Sequence, residues 1–290
     1  MGKIHGFQFL QRWACVVPIT VLLSAHNASA HDFWLEPNVY DAAVDEKVSV
    51  TLRVGDQLSG DTVPRVHDWF TRFAVIEPDG AEREIAGVIG DDPAGNFSGH
   101  APGVHTLAYA STSAYTEMTP AKFARYVVDE GVAHIIANGL RGADAPAQVP
   151  VVREVFYRFA KAVVVIGEPP TTLGVAAGSQ PARPKWTLPI GLKMEIVALR
   201  NHLRAHSGPV RFRVLFDGAP LAGALLVARS RHQRERTISE RTQTDGTASL
   251  RLDDTGEWLI KAVHMQRAPA DSGLTQWLSY WAALSFSVHR

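Results

Sequence analysis

Lys47–Gly55 reads KVSVTLRVG, and its alternation sets the fold class. Val48, Val50, Leu52 and Val54 fall on one side of an extended chain, with Lys47, Ser49, Thr51 and Arg53 on the other. That is the period of two of a strand with one buried face. The pattern recurs outward from it. RFAVIEPDG (Arg72–Gly80) is a strand running into a Pro-Asp-Gly turn, and GVHTLAYAS (Gly103–Ser111) is another short strand. Further on, GLKMEIVAL, PVRFRVLFDG, ALLVARS, RTQTDGTASLRL and GEWLIKAVHM are strands bounded by turns, with Asp217-Gly218 and Asp245-Gly246 as strong turn signals. WLSYWAALSFSV (Trp277–Val288) puts Leu278, Tyr280, Ala282, Leu284, Phe286 and Val288 on one core face. REVFYRFAKAVVVIG is ambiguous between helix and strand, its late Val-Val-Val-Ile run favouring a strand from Lys161 onward.

One segment departs from the β pattern. In TPAKFARYVVDEG, Thr119 is placed as an N-cap with Pro120 at the first helical position. Phe123, Tyr126, Val127 and Glu130 follow helical spacing, and Gly131 is a C-terminal stop. VAHIIANG adds a second short helix. The expected fold is therefore mainly β. Two Ig-like β-sandwiches make it up, 31–168 with a helical insertion near 119–139, and 187–290, joined by a Pro/Gly-rich linker at 169–186. FAVIEPDG and FRVLFDG echo each other, which fits either a duplication or ordinary hairpin chemistry.

Residues 1–30 read as a secretory signal peptide. Lys3 and Arg12 precede or flank the apolar run ACVVPITVLLSA, and Ala-Ser-Ala ends at Ala30. Cleavage there removes the single cysteine, Cys15, and takes the charge balance from 29 basic and 29 acidic residues to 27 and 29. The expected mature protein is periplasmic, about 260 residues long, without disulfides or thiolate metal sites, and held by its own core. Its near-neutral charge gives no footprint for nucleic acid or anionic lipid, and no later apolar run reaches the length of a membrane span.

The new terminus is where chemistry is expected. Cleavage after Ala30 gives His31 a free α-amine, so one residue offers two nitrogen ligands in a chelate; a second histidine completes a three-nitrogen site suited to copper or nickel. Binding displaces a proton from the amine and weakens in acid. Phe33, Trp34 and Leu35 follow directly and are costly to leave in water, so the terminus is expected to be docked. His264 falls on the face of Trp258, Ile260 and Ala262 at the outgoing end of its strand. His105 shares a face with Leu107 and Tyr109 and reads first as a packed core histidine. His202 and His206 have the i, i+4 spacing of a metal clip, in a segment read as a loop. Asp91-Asp92 and Asp253-Asp254 read as turn formers. There is no Gly-x-Ser-x-Gly elbow, phosphate-binding glycine loop or His-Glu-x-x-His helix, so no catalytic role is expected.

The opening HDFWLEP, the KFARYVVDEG helix, YRFAKAVVVIG, RVLFDGAPLAGALLVA, GEWLIKAVHM and WLSYWAALSF together resemble the NikM-like periplasmic family of unknown function, over nearly the whole mature chain. The motif positions are His31, Asp32, Phe33, Trp34, Glu36 and Pro37, then His264, Trp277 and Trp281. The resemblance implies Ig-like sandwiches, the second similar to carboxypeptidase-regulatory or transthyretin-like domains. It also implies an accessory role in nickel or cobalt uptake, with an inner- or outer-membrane metal transporter as partner. No established active site comes with it. The metal-ligand set expected for copper, nickel or cobalt is His31 and His264, with Asp32 and His105. The alternative is a carbohydrate-binding or adhesion module of the cell envelope, stacking glycans on WLSYW or DWF aromatics. A copper oxidase acting on polysaccharide ranks last.

Overall fold

The computed structural model describes residues 31–139, 150–167, 185–199, 203 and 208–289. The expected signal peptide, the linker up to residue 184, and His202 and His206 lie outside the described residues. In the first half the strands are β1 (Asp32–Pro37), β2 (Asp41–Ala42), β3 (Lys47–Asp56), β4 (Ser59–Val63), β5 (Phe70–Ile76), β6 (Glu82–Glu84), β7 (Gly95–Ser98), β8 (Gly103–Ser111) and β9 (Ala114–Met118). Helices α1 (Pro120–Asp129) and α2 (Ala133–Gly139) follow, then the long β10 (Val152–Ile166). The second half adds β11 (Met194–Ala198), β12 (Val210–Phe216), β13 (Ala219–Pro220), β14 (Leu225–Ser230), β15 (Thr237–Arg241), β16 (Thr247–Leu250), β17 (Gly256–Arg267) and β18 (Trp277–Val288).

These strands form three sheets in layers. The central sheet has the order β15-β14-β17-β18-β10-β8-β5-β6, with β2 and β9 also on β10. A first outer sheet, β1-β3-β4 with β7 on β3, covers one face of it; a second, β11-β12-β13 with β16 on β12, covers the other. The chain is thus mainly β, with sandwich packing on both faces of the central sheet. β10 and β18 pair in parallel from Glu154–Trp277 to Ala162–Ser285, so strands from both sides of the expected linker share this sheet.

Burial on both faces explains the sequence patterns. Val48, Val50 and Leu52 of the alternating stretch are buried against Phe73, Leu107 and Val164 of the central sheet. On β18, Tyr280, Ala282, Leu284, Phe286 and Val288 pack on the second outer sheet, as their spacing predicts, while Trp277 and Trp281 pack on the other side under the helices. The ambiguous segment is strand throughout 152–166. Its lysine, Lys161, is buried, and its Nζ donates to Glu195 Oε1 of β11 at 2.8 Å, while the Glu195 carboxylate also accepts the backbone N–H groups of Ile190, Gly191 and Leu192. Removing either partner would strand a charge between two sheets, a loss of about 3–5 kcal/mol.

The helices form where the capping residues place them. Thr119 Oγ1 accepts the Lys122 N–H at 3.3 Å, and Pro120 opens α1. At the other end Gly131 has φ +69°, with Val132 N–H bonded to Val127 O and Gly131 N–H to Val128 O, a Schellman closure that needs a left-handed residue. Phe123, Tyr126 and Val127 face Trp277, Trp281 and Met265 of the central sheet.

Candidate functional site

His31 leads into β1, and β1 is docked. Asp32, Phe33, Trp34 and Leu35 are buried, Leu35 O accepts the Ser285 hydroxyl at 2.6 Å, and Glu36 is held by Arg53 and Arg231. His31 itself is half-exposed. Its Nδ1 lies 3.4 Å from Asp56 Oδ2 at the end of β3, and both residues line a cavity of about 530 Å³. One wall is the α1 face carrying Lys122, Arg125, Tyr126 and Asp129, an i, i+3, i+4, i+7 set. The central sheet supplies the rest: Leu225, Val227 and Arg229 of β14, with Thr237 and Ser239 of β15.

Behind His31 sits a buried charge cluster. Lys261 Nζ lies 2.5 Å from Asp32 Oδ1 and 3.0 Å from both oxygens of Glu130. Two carboxylates share one ammonium in a largely buried site, so their charged forms are disfavoured. Burial raises the Asp32 pKa despite Lys261, and burial pushes Glu130 up to about 7. Burial works against the Lys261 charge, but the attraction of Asp32 and Glu130 wins and holds its pKa above the usual range. Asp56 adds a repulsive contribution on both carboxyls, which places its charge in the same field. Beneath α1 a third carboxyl, Glu154, is buried and pushed up to about 7 by burial; its Oε1 accepts the hydroxyls of Tyr126 (3.1 Å) and Ser279.

The four expected metal ligands are not brought together. On β17, His264 shares its face with Ile260 and Ala262, packing on the Phe216 ring at 4.7 Å, whereas Lys261 and Val263 point to the other side of the sheet, where His31 and the helices lie. His264 is therefore separated from His31 by the sheet itself; burial, and to a lesser degree His134, lowers its pKa. His105 is fully buried, its Nε2 2.5 Å from Glu77 Oε2. A side chain at Gly99 would meet its ring, and Ser98 pairs with Lys47, so His105 sits at the start of β3 and His31 at its end. Nine strand residues separate the two ends, roughly 30 Å. Asp32 is engaged by Lys261. Among the described residues no group of three or more His, Cys, Asp or Glu side chains is disposed to hold a metal ion. His100 is exposed and pairs with Asp45 at 2.6 Å.

The aromatics divide in the same way. Trp277, Tyr280 and Trp281 of WLSYW are buried, because both faces of β18 are covered; this corrects the expectation that they stack glycans. Trp69 of DWF is 53% exposed. The residues not anticipated as a site are Lys261, Glu154, Arg229 and Asp56. Lys261 did carry a signal: it interrupts EWLIKAVHM, a strand apolar at alternate positions of both faces.

A family model described as a domain of unknown function, DUF4198, matches residues 28–266, and the chain belongs to that family. No curated protein matches the chain. Among solved structures it is similar to the D0-D1 domain of intimin (12% identity, 88% of this chain and 97% of that one, TM-score 0.20). A tetra-tandem repeat in the extending region of a large adhesion protein gives 10%, 89%, 50% and 0.22. A DUF4785 family protein from Legionella pneumophila gives 9%, 79%, 50% and 0.21. Likenesses at these identities and scores carry no argument about role. Among the described residues no helix is long and apolar enough to cross a membrane.

Proposed function

We propose that this DUF4198 protein is a non-catalytic periplasmic protein that binds copper, nickel or cobalt at its mature amino terminus and passes it to a membrane metal transporter. This is the role implied by the NikM-like resemblance. The observation that carries it is the His31 Nδ1–Asp56 Oδ2 approach of 3.4 Å at the mouth of the cavity. Cleavage after Ala30 would add the α-amine, making an N,N,O donor set in which Asp56 takes the place expected for a second histidine.

The experiment is copper(II) and nickel(II) titration of three proteins: one beginning at His31, the same protein with one alanine ahead of His31, and Asp56→Asn. The expected result is tight binding by the first and at least about tenfold weaker binding by the other two, since each loses one donor. Equal affinity in all three removes the proposal. The same titration in acid should weaken binding, because the amine and imidazole must lose protons to bind metal.

A further inference from the structure

The cavity beside His31 has a second chemistry. Four cationic side chains line it, and one, Lys261, is neutralised by Asp32 and Glu130. The other three are Lys122 and Arg125 on α1 and Arg229 on β14. Among the described residues Lys122 and Arg125 have no side-chain hydrogen bond or ion pair. The Arg229 Nε is buried without a hydrogen-bond partner, although the guanidinium is near enough to Asp32 to attract its charge. The acids on the lining are Asp129 and Glu130 at the end of α1, Glu130 being held by Lys261, and Asp56, which lies against His31.

We propose that this cavity binds a small oxyanion of two or more negative charges, a polycarboxylate or a phosphorylated small molecule, held by Lys122, Arg125 and Arg229, with the Thr237 and Ser239 hydroxyls as further donors. Guanidinium forks match carboxylate and phosphoryl oxygens alike. A helix and two strands would each contribute to holding such a ligand, and about 530 Å³ lies within the usual range of small-molecule sites. The site is independent of the metal reading, since it uses none of the donors assigned to the metal.

Calorimetric titration of the metal-free mature protein with citrate and with pyrophosphate, glucose serving as the uncharged control, tests this. Citrate or pyrophosphate should bind and glucose should not; whichever anion binds more tightly names the class. The Lys122→Ala/Arg125→Ala double variant changes two exposed helix positions and should fold normally. It should bind about tenfold or more weakly and show a shallower salt dependence. Asp56→Asn, which tests the metal site, should retain anion binding. Failure of the wild-type protein to bind either anion at millimolar concentration overturns the proposal, as does unchanged affinity in the double variant.

Discussion

Glu154→Gln should make the protein more stable in mild alkali. Glu154 is 2% exposed, and burial lifts its pKa from an ordinary 4.5 to about 7. A carboxyl whose folded value lies above its unfolded value stabilises the fold fully below about pH 4.5, and that contribution is lost as the pH rises through about 7. Above both values the native state holds a carboxylate it would rather protonate, at a cost of about 3 kcal/mol. Glutamine is neutral and nearly isosteric, and its Oε1 can keep both hydroxyl bonds, from Tyr126 and Ser279. At about pH 8.5 the variant should therefore gain up to about 3 kcal/mol, and at about pH 5 it should differ by less than about 1 kcal/mol. Urea unfolding of both proteins across this range reads the effect directly. Glu130 and Asp32 titrate in the same sense, so the variant's stability should still fall with pH, but less steeply than that of the wild type. A variant less stable than wild type at about pH 8.5, or a parallel pH dependence, would refute the assignment of a raised Glu154 pKa.

Lys261→Met should lose about 3–5 kcal/mol at about pH 8, because Asp32 and Glu130 then face each other without a counter-charge. The loss should shrink in acid as those carboxyls protonate, which urea midpoints at two pH values will show. Gly131→Ala places a Cβ 2.7 Å from the Leu225 side chain at φ +69°, so thermal unfolding should show a loss of about 1–3 kcal/mol. Thr119→Ala removes the N-cap acceptor of α1 and should cost about 1 kcal/mol in the same assay.

The local structure was legible in the sequence because its causes are local. Alternation in Lys47–Gly55 follows from a strand with one wet face, and Thr119, Pro120 and Gly131 mark the ends of α1 and its closing turn through their own backbone chemistry. The docking of β1 was legible too, since Phe33, Trp34 and Leu35 are costly to leave in water. The segment REVFYRFAKAVVVIG was not resolvable, because a strand covered on both faces loses its period and resembles a buried helix. Within the candidate site, His31 stood out because the apolar Phe33, Trp34 and Leu35 follow it, whereas Asp56, Arg229 and Lys261 come from strands far apart in the chain.

What the sequence determined by itself was the mainly β class, most of the elements and the burial of the His31 segment, all consequences of residues within a few positions of one another. Only the tertiary structure decided which side of the central sheet each histidine occupies. His264 and Lys261 are three residues apart on one strand, and an odd offset on a pleated strand sends them to opposite faces. Nothing local says which face β1 will cover. That choice belongs to the packing of β1 and α1 on the side of Lys261, and it is why His31 meets Asp56 instead of His264.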